Sequence, residues 1–324
     1  VVSGSGLIVF DGRGNQTLGA SGGVGGISGL TINNSGAPGA VVTIQDTIDV
    51  GGSGAWTYTA GNVSTTGSTI RFREFSKTIS AAGMSFNDVE MNLASGSTVT
   101  LSNTMNVNGN LTFTEQGSIT GGAITLDGNL TSTDSSVNGT TPITLDGTGA
   151  QTINTAGGDL PDGLLTINKT AGTAQLTSNM TTALDGVGQD FAVTQGTLDL
   201  NGFNLTVPDQ FRIGATETLQ LEGGETVTTG TTTLFVGSTV LYDGAGSYTG
   251  LEIGNAYSNL SFNGTGTWTL DAALDVDSNL TITAGTLDVD NIANHQVNVA
   301  GNWSNSGTFT AQAGTVIFDG TNQT

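Results

Sequence analysis

Paired carboxylates in alternate positions are the first feature of this chain that could do chemistry. Asp275/Asp277 and Asp288/Asp290 offer hard oxygen ligands of the kind calcium takes, and periodic Asp is how extracellular β-rolls bind that ion. The calcium-repeat phrase Gly-Gly-x-Gly-x-Asp is missing, because Gly22-Gly23-Val24-Gly25-Gly26-Ile27 lacks the Asp. A solvated strand face is therefore the preferred reading of these acids, and no cofactor is expected beyond the calcium alternative. A second cluster, Arg71, Arg73, Glu74 and Lys77, holds half of the chain's six basic residues within seven positions. It reads either as a docking patch for an acidic neighbour or as local pairing with acids on adjacent strands. Trp303 is the one tryptophan outside any repeated pattern and is retained as a surface-contact candidate. Trp56 and Trp268 occupy repeated apolar slots, so core packing is expected of them. His295 stands between Asn294 and Gln296 with no second His nearby, which suits an exposed polar residue better than a ligand or base.

An enzyme would need carboxylates grouped as acid and base, usually beside a cation. Here Asp residues recur at equivalent turns and basic partners are scarce, so no catalytic residue is assigned and the chain is read as non-catalytic. A formal charge of -21 repels nucleic acid and anionic membranes, so neither is an expected partner. No apolar run approaches the roughly 20 residues of a bilayer span, and Val1-Val2-Ser3-Gly4 lacks a signal-peptide pattern, as expected of a mature or excised chain. Cysteine is absent, which removes disulfides and thiolate metal sites.

The elements that must position these residues are strands. The 324 residues include 51 Gly and 4 Pro, with Thr, Ser and Asn abundant, a composition poor for helices and suited to short strands and turns. An apolar residue followed by Asp-Gly recurs at Phe10-Asp11-Gly12, Leu145-Asp146-Gly147, Tyr242-Asp243-Gly244 and Phe318-Asp319-Gly320, with Phe72-Arg73-Glu74 as a degenerate copy. The intervals between successive copies are long and uneven. A second marker (Leu30-Thr31-Ile32, Met91-Asn92-Leu93, Leu165-Thr166-Ile167, Leu260-Ser261-Phe262) follows the first at a much shorter and nearly constant distance. The markers divide the chain into units 1–67, 68–140 (degenerate, with the basic cluster), 141–236 and 237–312, and the start of a fifth at 313–324.

Within each marker, apolar residues alternate with Thr, Asn or Asp, the signature of strands with one buried and one wet face. No charged or Pro-rich linker separates the units, which favours an all-β, right-handed parallel β-solenoid whose neighbouring coils share one core. Tandem β-sandwiches are the alternative. Asp-Gly after an alternating strand argues for them, because it is the preferred type I′ hairpin turn. The triplets Asn110-Leu111-Thr112, Asn129-Leu130-Thr131 and Asn279-Leu280-Thr281 match the N-glycosylation pattern but are common at this composition.

The stretch Gly301-Asn302-Trp303-Ser304-Asn305-Ser306-Gly307-Thr308-Phe309 and the following Val316-Ile317-Phe318-Asp319-Gly320-Thr321-Asn322-Gln323-Thr324 resemble tandem repeats of very large secreted bacterial surface proteins. With Asn279-Leu280-Thr281-Ile282 and Ala284-Gly285-Thr286-Leu287-Asp288, the likeness runs over nearly the whole chain. Such repeats are similar to filamentous-haemagglutinin-like β-helical adhesins. The resemblance implies an extracellular or cell-surface filament, fibre or stalk, and carries over no catalytic residue. The expected partners are further repeats or copies of the chain joined head to tail through strand edges, with a surface glycan as the adhesive alternative. A polysaccharide-processing β-helical enzyme is the third reading.

Overall fold

Thr, Asn and Asp alternating with Val, Ile and Leu make short strands whose apolar side chains all leave by one face. The computed structural model describes residues 6–36, 39–182, 190–321 and 323; Val1 to Gly4, Asn322 and Thr324 lie outside them. The described residues are all β, with no helix. They form a β-solenoid of about 14 stacked turns rather than sandwiches. The chain divides into two compact units, Val1–Thr166 with Thr181–Asp190, and Ile167–Met180 with Phe191–Thr324.

In the first unit, Leu7–Phe10 pairs in parallel with Gly29–Asn33, which pairs in turn with Trp56–Ala60. The separation between register partners, such as Leu30 and Trp56 or Ile70 and Val89, is the length of one coil. Because the ladders hold register, each inward slot becomes a column. Ile48, Ile70, Val89, Leu111, Leu130 and Ile153 are successive register partners, all at most 1% exposed. A neighbouring column runs Val50, Phe72, Met91, Phe113, Ser132. Trp56 stands in a third, between Leu30 and Ile79, with its ring against Phe72 and Phe86 at 5.9 and 5.3 Å.

The second unit repeats the plan. Leu198, Leu219, Val240, Leu260, Leu280 and Trp303 follow one another in register. On another wall Tyr248, Trp268, Leu287 and Phe309 do the same. Trp56 and Trp268 are both fully buried core residues.

The constant offset between the first two sequence markers now has a physical meaning. Phe10 pairs with Ile32, Phe72 with Met91 and Tyr242 with Phe262, so the two markers are one slot in consecutive coils. The longer, uneven intervals between Asp-Gly copies each span several coils.

Asp-Gly does not make hairpins here, since every described strand pairing is parallel and none of Gly12, Gly147, Gly244 and Gly320 has left-handed backbone. Glycine is needed for another reason. A Cβ on Gly147 would strike the Asp127 carbonyl of the coil beneath, one on Gly128 the Gly109 carbonyl, and one on Gly320 the Ala300 carbonyl. Stacked coils approach closely at these glycines, and only a residue without a side chain fits.

Truncation inside a column leaves a cavity that rigid coils above and below cannot close. Leu111→Ala is expected to destabilise the first unit by about 2–5 kcal/mol, whereas Thr131→Ala on the wet face costs less than about 0.5 kcal/mol. Chemical denaturation of the two variants checks this.

Candidate functional site

The basic cluster lies on Thr69–Glu74 and Lys77–Ser80 in the first unit. Inward Ile70 and Phe72 turn Arg71 and Arg73 to the outer face, where acids of the coils on either side meet them. Arg71 Nη1 lies 3.3 Å from Asp49 Oδ1 and its Nε 2.8 Å from Glu90 Oε2; Arg73 Nη1 lies 2.9 Å from Asp49 Oδ2. Arg73 Nε also donates to Asn92 Oδ1. The arginines thus form a cross-coil ion-pair ladder with adjacent strands.

Glu74 adopts left-handed backbone (φ 60°), ending the strand and turning the chain inward. Lys77 follows this turn into the interior. Its Nζ donates to the Val50 and Arg73 carbonyls at 2.9 and 2.5 Å, and burial lowers its pKa to about 8. The four residues therefore divide their work: two arginines tie coils outside, Glu74 bends the chain, and Lys77 satisfies carbonyls inside.

Asp275 and Asp277 alternate with buried Leu274 and Val276, which places both carboxylates on an exposed face. Burial and the neighbouring charges of Asp277 and Asp319 raise the Asp275 pKa. The other pair is engaged locally. Asp288 Oδ1 accepts from the Asp290 N–H at 3.0 Å and from Gln312 Nε2 at 3.2 Å, while Asp290 Oδ1 accepts from the Ile292 N–H. Among the described residues, no three or more His, Asp or Glu side chains are grouped so that they could hold a metal ion.

A carboxyl group that composition did not single out is the most buried acid of the second unit. Glu225, 1% exposed, accepts N–H donors from Gly202, Glu222, Gly223 and Gly224. Gly223 permits this nest through left-handed backbone (φ 113°), and it leaves room for Trp268, whose Nε1 donates to the Glu222 carbonyl at 3.0 Å. Around this anion, burial raises the pKa values of Asp199, Glu222 and Asp243, and the Glu225 charge adds to each. Glu252 is pushed furthest, to about 7, by burial first and then by Glu225 and Asp271.

Composition also concealed a ladder of side-chain amides. In the first unit Asp88 Oδ1 accepts from the Asn110 N–H, Asn110 Oδ1 from Asn129, and Asn129 Oδ1 from Thr152, at 2.7, 3.0 and 2.8 Å. In the second, Asn179 accepts from Asn204 and Asn204 from Thr226, and likewise Asn259 from Asn279 and Asn279 from Asn302. Each Asn accepts a backbone N–H of the next coil, mostly from the turn that precedes a strand. The Asn-Leu-Thr triplet is thus one structural phrase, with ladder amide, column residue and wet-face hydroxyl in succession.

Trp303 is the register partner of Leu280 and so belongs to the repeated core pattern that its local sequence did not match. It lies in the last described coil, where Trp303, Asn305, Phe309, Val316 and Phe318 line a cleft of about 400 Å³. The Phe309 ring meets Trp303 edge-on at 4.8 Å, and Phe318 is 52% exposed. Slots that are buried in the preceding coils are open here.

Glu252 sets the sign of a pH effect on the second unit. Its folded pKa stands above the ordinary carboxylate value, so its ionised form opposes folding above pH 7 and the penalty is relieved as pH falls from about 7 toward 4.5. Thermal unfolding is expected to show the second unit more stable at pH 6 than at pH 8, with Glu252→Gln flattening that difference.

No family model, curated protein or solved structure matches the chain.

Proposed function

We propose that the chain is a non-catalytic structural segment of an extracellular surface filament, fibre or stalk, assembled by stacking coil upon coil. The observation that carries this reading is the last described coil. Its Trp303, Phe309 and Phe318 occupy slots that elsewhere bind one coil to the next, so a further coil, of this chain or of another, can stack on them by the same contacts. An open parallel edge beside apolar slots recruits another strand by the same bonds that built it.

The wet faces support the reading as well. Thr, Asn and Asp cover them, and a charge of -21 keeps such assemblies from associating sideways. The resemblance to tandem repeats of filamentous-haemagglutinin-like surface proteins points to the same extracellular setting.

Light scattering across a concentration series tests this with the 324-residue chain. Mass rising in whole multiples of 32.5 kDa is expected, and Phe318→Asp should hold the protein at one chain. A monomer at every concentration, or assembly indifferent to Phe318→Asp, overturns the proposal.

A further inference from the structure

On two walls of the second unit the parallel ladder stops and starts again in mid-chain. Val227–Leu234 pairs with Leu205–Ile213 of the coil before it. In the coil that follows, Ser247–Thr249 and Ala256–Tyr257 each open a new sheet. Among the described residues they pair forward only, with Thr267–Thr269 and Leu274–Val276. A third wall runs through the same boundary unbroken, with Thr239–Tyr242 in register with Asn259–Phe262. The coils are therefore held together on one wall while the strand edges on the others go unpaired.

The core column records the same break. Phe211 and Ile213 are fully buried, but their register partners Thr232 and Leu234 are only half-buried. The next two residues, Phe235 and Val236, are 47% and 85% exposed. Thr232, Leu234 and Val236 from one coil, with Ile253, Ala256 and Tyr257 from the next, line a cleft of about 250 Å³. Just past it the coils close again: the Gly237 N–H donates to Ser258 Oγ at 2.7 Å and the Asn259 N–H to the Ser238 carbonyl at 2.9 Å. Asp277 also lines the cleft, and no ion pair reaches it among the described residues. Its charge is felt on the same face, where the Asp275 pKa is raised by burial first and then by Asp277.

We propose that this cleft docks an extended peptide segment of a partner protein, one that alternates apolar and basic side chains and adds a strand where the ladder is interrupted. Each part of that description answers a feature of the site. An unpaired strand edge recruits an extended backbone through its free N–H and C=O groups. Leu234, Phe235 and Val236 offer an apolar seat for every second side chain, since successive side chains of a strand point to opposite faces. Asp277, with Asp275 beside it, supplies the complementary charge that selects a cation. The cleft lies within one unit, so this proposal goes beyond coil stacking and stands whether or not chains stack on one another.

The test measures fluorescence anisotropy of labelled synthetic peptides with the 324-residue chain. A peptide alternating Lys and Val should bind. Peptides alternating Glu and Val or Lys and Ser should not, and neither should the Lys-Val peptide with its backbone nitrogens methylated. Val236→Ser and Asp277→Asn alter exposed side chains, so both variants should keep the thermal midpoint while raising the Kd for the Lys-Val peptide roughly fivefold to tenfold. Ile292→Ser removes an equally exposed apolar side chain that does not line the cleft and should leave binding unchanged. No binding of the Lys-Val peptide overturns the proposal. Equal binding of the Lys-Ser or the methylated peptide also overturns it, because attraction to a chain of charge -21 then suffices. So does unchanged affinity in either cleft variant, or an equal loss in Ile292→Ser.

Discussion

Parallel pairing between coils, strand on strand at about 4.8 Å, is the constraint from which the rest of this structure follows. A coil can bond to its predecessor along several walls at once only if it retraces the same path. Position then matters by slot. Ile48, Ile70, Val89, Leu111, Leu130 and Ile153 differ in shape but share one column because their backbones are superposed. Where the paths come close a glycine stands, as at Gly128 and Gly147, and an asparagine of one coil supplies the acceptor for a backbone N–H of the next.

Charge is managed differently in the two units. In the first, Arg71 and Arg73 neutralise Asp49 and Glu90 across coil boundaries. In the second, Glu225 is held by backbone N–H groups, and nearby carboxyls bear its repulsion as raised pKa values. Four N–H donors stabilise a buried carboxylate there. This permits a chain so poor in basic residues to bury acid in its wall.

On the proposed reading, building and assembling draw on one interaction. The contacts that seat Leu280 on Leu260 are of the same type as those Trp303 presents in the last described coil. Function, on this proposal, needs no separate site. It extends the fold's own repeat, with apolar slots supplying most of the attraction and hydrogen bonds supplying register.

Much of this was legible in the residues. Alternation at Thr98–Val107 or Leu111–Glu115 is local, and it determined the class, the strands and which side chains turn inward, Trp56 and Trp268 included. The Asp-Gly corners were visible but misleading: their local preference is a hairpin, whereas contact with a backbone one coil away is what demands the glycine. Asn110 and Asn129 were hidden by composition, because an amide ladder cannot be told from Asn richness until the coil length is known. Trp303 failed to match its local phrase yet pairs with Leu280, since a column keeps burial and direction rather than spelling. Sequence by itself thus determined strand phase, which depends on near neighbours along the chain. The absence of linkers between units already favoured parallel coils, and only the tertiary structure decided coil register and which carboxylates share Glu225's surroundings, because each of these depends on partners a whole coil away.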